Sequence, residues 1–147
     1  MENVKMQIRD LTMQYNDVLA LNHVNFDVLD GEFLSILGPS GCGKTTILRI
    51  LTGLLNPTSG TIVKDGVDIT SLPSSQRGMG IVFQNYALFE NMTVLDNVEY
   101  ALRIRKENRS PRARAQVREK VLSIIDRVGM SAHLDKKPSE LSGGQQQ

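Results

Sequence analysis

The sequence has no tryptophan and only seven aromatic residues, three Tyr and four Phe, so any core it builds is mainly aliphatic. A single cysteine, Cys42, excludes an internal disulfide framework and suits a reducing compartment. No apolar run approaches the ~18–20 residues needed to span a bilayer. The first ten residues, Met1 to Asp10, alternate polar and apolar side chains and carry the acidic Glu2, unlike a signal peptide. Charge of one sign is lacking too: 17 Lys and Arg against 16 Asp and Glu leave a formal +1. That balance gives no global attraction to nucleic acid or to an anionic membrane. What remains is 147 residues, 40 % apolar and 22 % charged, the composition of an ordinary globular domain.

Charge is uneven along the chain. Arg103, Arg105, Lys106, Arg109, Arg112, Arg114, Arg118 and Lys120 fall in one stretch with only Glu107 and Glu119 to oppose them. No aromatic residue is interleaved there to stack on bases, so the stretch reads as a solvated turn and helix face, not a nucleic-acid site.

Hydrophobic periodicity divides the chain in two. Val4, Met6 and Ile8, then Val24, Phe26 and Val28, alternate as half-buried strands do. Phe33 to Leu37 is a nearly continuous apolar run and predicts a strand buried on both faces. Lys44 to Leu51 has helical character and stops near Gly53, and Asp65-Gly66 sits between two short strand-like runs as a hairpin turn. Ile81-Val82-Phe83 predicts another short strand. From Thr93 the texture is helical, with Asp96 completing a capping-box variant. Pro111 opens a longer helix whose apolar face is Val117, Val121, Ile124, Ile125 and Val128, with Gly129 as its stop. The expected division is a β-rich part over residues 1–86 and a helical part over 87–147.

Gly38-Pro39-Ser40-Gly41-Cys42-Gly43-Lys44-Thr45 fits G-x-x-x-x-G-K-[ST] in full, between an expected strand and an expected helix. A triphosphate needs many donors aimed inward with no side chains in the way. Glycines let successive backbone N–H groups face the β-phosphate, and the helix adds the positive end of its dipole. In this motif Lys44 reaches the β- and γ-phosphates and Thr45 offers its hydroxyl to Mg²⁺, with Thr46 completing the cradle. The expected ligands are therefore ATP and Mg²⁺.

A second motif narrows the class. Leu141-Ser142-Gly143-Gly144-Gln145 resembles the signature sequence of ATP-binding-cassette (ABC) ATPases, which P-loop GTPases and kinases lack. The resemblance implies an α/β P-loop fold with an N-terminal antiparallel β part and a helical subdomain. It further implies that Ser142, Gly143, Gly144 and Gln145 bind the γ-phosphate of ATP held by a second copy. Gln84, opening Gln84-Asn85-Tyr86-Ala87-Leu88-Phe89, looks like the family's Q-loop glutamine, which approaches Mg²⁺ and the γ-phosphate. Tyr15 stands upstream of the P-loop where the family stacks an aromatic ring on adenine. Lys44 and Gln84 are the catalytic candidates, and Thr45 and Gln84 the metal candidates.

Phe83 to Val98 most resembles ATPase subunits of importers for polyamines, ferric iron, phosphonates and sugars, although Glu90 replaces the proline often found there. This implies transmembrane permease partners, an ATPase homodimer, an indirect link to a solute-binding protein, and a cytoplasmic, membrane-peripheral location. The family continues past the signature to a strand ending Asp-Glu (Walker B), an aspartate loop and a switch histidine. None of these lies within residues 1–147, and His23 and His133 both precede the signature. Val121 to Asp126 mimics the Asp-ending strand, but its spacing is helical and Arg127 stands where Glu is needed. Two alternatives stay open: a nucleotide-binding fragment unable to hydrolyse ATP, and a non-transport ABC ATPase. Loss of central strands also predicts exposed apolar surface and association.

Overall fold

The computed structural model describes residues 3–108 and 110–147, the Lys106 side chain excepted. Met1 and Glu2 of the first alternating stretch, and Arg109 of the basic stretch, lie outside the described residues. The chain forms two compact units, Met1–Ile81 and Val82–Gln147.

The first unit is built on a four-stranded antiparallel sheet. Its strands are β1 (Val4–Tyr15), β2 (Val18–Leu29), β3 (Ser59–Lys64) and β4 (Val67–Asp68), in the order β2-β1-β3-β4. Alternation puts Met6 and Ile8 of β1 and Val24, Phe26 and Val28 of β2 on one face, and a register shift between Ile8 and Leu11 brings Leu11 to it as well. Against that face lies α1 (Lys44–Leu51), whose Ile47 and Ile50 are buried with Ile62 of β3. Each such isoleucine contributes about 1.5–3 kcal/mol through burial. Asp65 and Gly66 both take positive φ, +51° and +77°, the geometry of a type I′ hairpin turn between β3 and β4.

Two expected strands are absent. Phe33–Leu37 and Ile81–Phe83 carry no ladder, and Phe33 and Leu37 are 92 % and 89 % exposed. A strand exists through its hydrogen-bonded neighbours, and none of β1–β4 pairs with either segment. Only Ile36 of the first run packs against the core.

The second unit holds α2 (Val94–Arg103), α3 (Pro111–Arg127) and α4 (Gly143–Gln146). Thr93 caps α2 by accepting from the Asp96 amide, and Ser110 caps α3 through Ala113. Val117, Val121 and Ile125 of α3 meet Leu95 of α2. Ile124 and Val128 were expected on that face but stand 42 % and 68 % exposed. The apolar stripe narrows to i, i+4, i+8 because α3 packs chiefly on one helix. The Val121–Asp126 segment is helical, so it is not an Asp-ending strand. Arg118 reaches the buried Glu99 (3.4 Å), Arg103 pairs with Asp96 and Arg105 with Glu107, so part of the basic stretch is internally paired. No described helix is long and apolar enough to cross a membrane.

Candidate functional site

Residues 38–43 loop into α1 with their backbone exposed except at Gly43, the residue that begins the helix. Gly43 takes φ +93°, and a Cβ there would stand 2.7 Å from Leu21 Cδ2 and 2.8 Å from the Ala20 carbonyl oxygen. Only glycine permits both that conformation and that approach to β2. The first helical amides, those of Lys44 to Thr46, have no partner earlier in the helix, and no acidic residue sits in its first turn. The positive end of α1 is therefore unopposed.

Lys44 arches back over the loop, its Nζ donating to the carbonyls of Gly38 (2.8 Å) and Pro39 (2.6 Å) and lying 3.6 Å from Cys42 Sγ. The ammonium is thus held above the concavity that the glycines open. Thr45 is exposed beside it and Thr46 half-buried. These donors fit a polyphosphate: amides, one ammonium and no carboxylate. Thr45 suits an Mg²⁺ ion whose other ligands come from phosphate. Among the described residues no three His, Cys, Asp or Glu cluster to hold a metal alone.

Tyr15 ends β1 in the same unit, 44 % exposed, opposite Val18 across the tight turn at Asn16, which has φ +49°. An exposed ring on a rigid hairpin is suited to stacking.

The second unit holds the remaining candidates. Gln84 is exposed and opens a run of turns in which Tyr86 and Ala87 both take positive φ. The Asn97 side chain fixes the end of that run: it accepts from the Phe89 amide (2.9 Å) and donates to the carbonyls of Phe89, Met92 and Thr93. The Phe89 ring lies against Tyr100, centroids 4.6 Å apart.

Ser142 to Gln145 are exposed at the start of α4. Gln145 Oε1 accepts from the Ser142 amide (2.9 Å), and its Nε2 lies 3.1 Å from His133 Nε2. The Ser142 N–H fixes which end of the amide faces it. The His133 Nε2 must then accept, placing the ring proton on Nδ1, a buried atom without a partner among the described residues. Gln146 Nε2 braces the turn through the Pro138 and Leu141 carbonyls.

The candidates divide between the units: the glycine loop and Tyr15 in the first, Gln84 and Ser142–Gln145 in the second. The sequence reading passes over Asn97 and Arg77 and places His133 only as a histidine preceding the signature. None of the three carries a periodic or motif signal.

A glycine loop leading into a helix, with a lysine over its mouth, has the form of a P-loop of the α/β class. The family model described as ABC transporter matches residues 21–147, and the chain belongs to that family. It is 45 % identical over 140 residues to the sulfate/thiosulfate import ATP-binding protein CysA of Mycobacterium tuberculosis, covering 95 % of this chain and 38 % of that protein. It is 44 % identical over 142 residues to the spermidine/putrescine import ATP-binding protein PotA of Pasteurella multocida, covering 97 % and 37 %. The chain therefore spans less than two fifths of the length of these two curated relatives. A dimeric ATP-binding cassette in a post-hydrolysis state bound to ADP and Pi superimposes with a TM-score of 0.82 at 32 % identity, over 96 % of this chain and 65 % of that one. The fold is accordingly that of an ABC ATPase cassette, with its antiparallel β part and helical part.

Proposed function

We propose that this chain supplies the nucleotide-binding elements of an ABC importer's ATP-binding subunit. The observation that carries the reading is the P-loop: Gly38, Pro39, Ser40, Gly41, Cys42, Gly43, Lys44, Thr45 and Thr46 form a largely exposed loop, closed over by the Lys44 ammonium, at an unopposed helix start. There the backbone amides and Lys44 orient the phosphates and Thr45 offers its hydroxyl to Mg²⁺; Gln84, in the second unit, is the further metal candidate. Bound Mg²⁺ would screen the phosphate charge that otherwise repels an incoming nucleophile. Tyr15 stacks on adenine. Ser142, Gly143, Gly144 and Gln145 act on nucleotide held by a second copy, so ATP binding closes a dimer and hydrolysis in the whole protein reopens it. Gln84 relays that state to permease subunits, and through them to a solute-binding protein. The location that follows is the cytoplasmic face of a membrane. The import names of the relatives at about 45 % identity support this reading over a non-transport ABC ATPase.

Lys44→Ala tests the cradle. It removes charge-assisted hydrogen bonds of about 1.5–3 kcal/mol, so Mg²⁺–ATP affinity should fall about 10–100-fold by equilibrium titration. Unchanged affinity would refute the assignment.

A further inference from the structure

A buried cation without a carboxylate stands behind the phosphate loop. Arg77 is 2 % exposed, and its guanidinium donates to four backbone carbonyls. Nη1 reaches Ile50 O (2.7 Å) and Leu51 O (3.1 Å), Nη2 reaches Thr70 O (2.7 Å), and Nε reaches Leu72 O (2.8 Å). No acidic side chain pairs with it among the described residues. Burial pushes its proton affinity down, the sign of a charge carried into a poorly solvated place. Such a charge persists only where fixed dipoles replace the lost water.

The identity of those dipoles is informative. Ile50 and Leu51 end α1, so the cation sits at the negative end of the helix whose positive end faces the phosphate cradle. Thr70 and Leu72 follow β4, and Thr70 Oγ1 accepts from the Ile62 amide of β3 (2.8 Å). Arg77 therefore ties the rear of α1 to the sheet, while the close approach of Gly43 to Leu21 and Ala20 fixes its front. Gly53 makes room: at φ +75°, a Cβ there would meet Arg77 Nε at 2.6 Å.

We propose that Arg77 is a positioning residue of the nucleotide site. It sets the angle of α1 against the sheet and strengthens the positive potential that the helix presents to phosphate. The inference rests on the nucleotide reading of the P-loop. The helix is about 12 Å long by its rise per residue, so Arg77 acts on the loop chiefly by holding α1 in place.

The test compares this chain with its Arg77→Gln, Arg77→Lys and Gly53→Ala variants. Two quantities are read: the thermal midpoint without nucleotide, and Mg²⁺–ATP affinity by displacement of a fluorescent ATP analogue well below every midpoint. Arg77→Gln should weaken ATP binding about five-fold or more. Arg77→Lys should recover at least half of that loss while its midpoint stays lowered. Gly53→Ala, which displaces the guanidinium, should reproduce the affinity loss and serves if Arg77→Gln does not fold. A lowered midpoint with ATP affinity within about two-fold of the parent would overturn the proposal, leaving Arg77 a purely structural tie. Failure of the parent chain to bind ATP would instead overturn the nucleotide reading, and this inference with it.

Discussion

Cys42 and Lys44 occupy the same few ångströms of the loop, Sγ 3.6 Å from Nζ, and Cys42 is exposed. An adduct on that sulfur would fill the concavity over which the lysine is held. Alkylation of Cys42 should therefore block ATP binding, and saturating ATP should slow the labelling. Equal labelling rates with and without ATP would contradict the placement of phosphate in this loop. At this scale the sequence was legible where chemistry dictates residue type: glycine where the backbone must approach β2, lysine where an ammonium must reach inward. It was silent on Arg77. A lone arginine after Pro73-Ser74-Ser75-Gln76 carries no pattern, and its burial is decided by carbonyls contributed from α1 and from the loop after β4, 5 to 27 positions away. His133 was hidden for a related reason, since its partner is a side-chain amide oriented by a backbone N–H that no residue pattern announces.

At the level of elements, β1 is held on both sides by ion pairs as well as ladders. Lys5 meets Asp65 at 2.8 Å and Asp30 at 3.7 Å, and Arg9 meets Asp27 of β2. Hydrogen bonds from Lys5 and Arg9 hold Asp65 and Asp27 below the ordinary carboxylate range, and Asp65 raises Lys5 above the ordinary lysine value. Folding thus keeps these carboxylates deprotonated more readily than the unfolded chain does. Their contribution is present above the carboxylate range and is lost as pH falls through it. The Lys5 contribution is present at neutral pH and is lost as pH rises through its elevated value. Every one of these groups is solvated, so the effects are small and salt-sensitive. The urea midpoint of the first unit should therefore be flat near neutrality and decline at both ends. Lys5→Met should shallow both declines, and ~1 M salt should do the same; an unchanged profile in the variant would remove the pair from the account. The elements themselves were legible where local periodicity suffices. The strands β1 and β2, the helix α1, the Thr93-capped start of α2 and the Pro111 start of α3 follow from alternation, the 3.6-residue period, a cap residue and a proline. Phe33–Leu37 misled because its composition reads as an interior strand, whereas a strand forms only when a neighbour supplies its hydrogen bonds.

For the whole molecule, that unpaired backbone has a measurable counterpart. Phe33 and Leu37 in the first unit and Val82 in the second are largely exposed. Exposed apolar side chains on a segment without a ladder partner invite pairing between chains. Sedimentation velocity should show association that rises with concentration, and Phe33→Ser with Leu37→Ser should increase the monomer fraction. A monomer that melts in a single two-state step in denaturant would contradict this. The strand order has a consequence in time as well. β1 and β2 join through a two-residue turn, but β3 lies on the other side of β1 and follows the P-loop in the chain. The phosphate loop therefore sits inside a closure that only β3 completes, and Arg77, which ties the rear of α1, comes later still. On a ribosome, the cradle would remain an open strap until those later residues had emerged, so competence to hold nucleotide should arrive abruptly with chain length and not grow with each added residue.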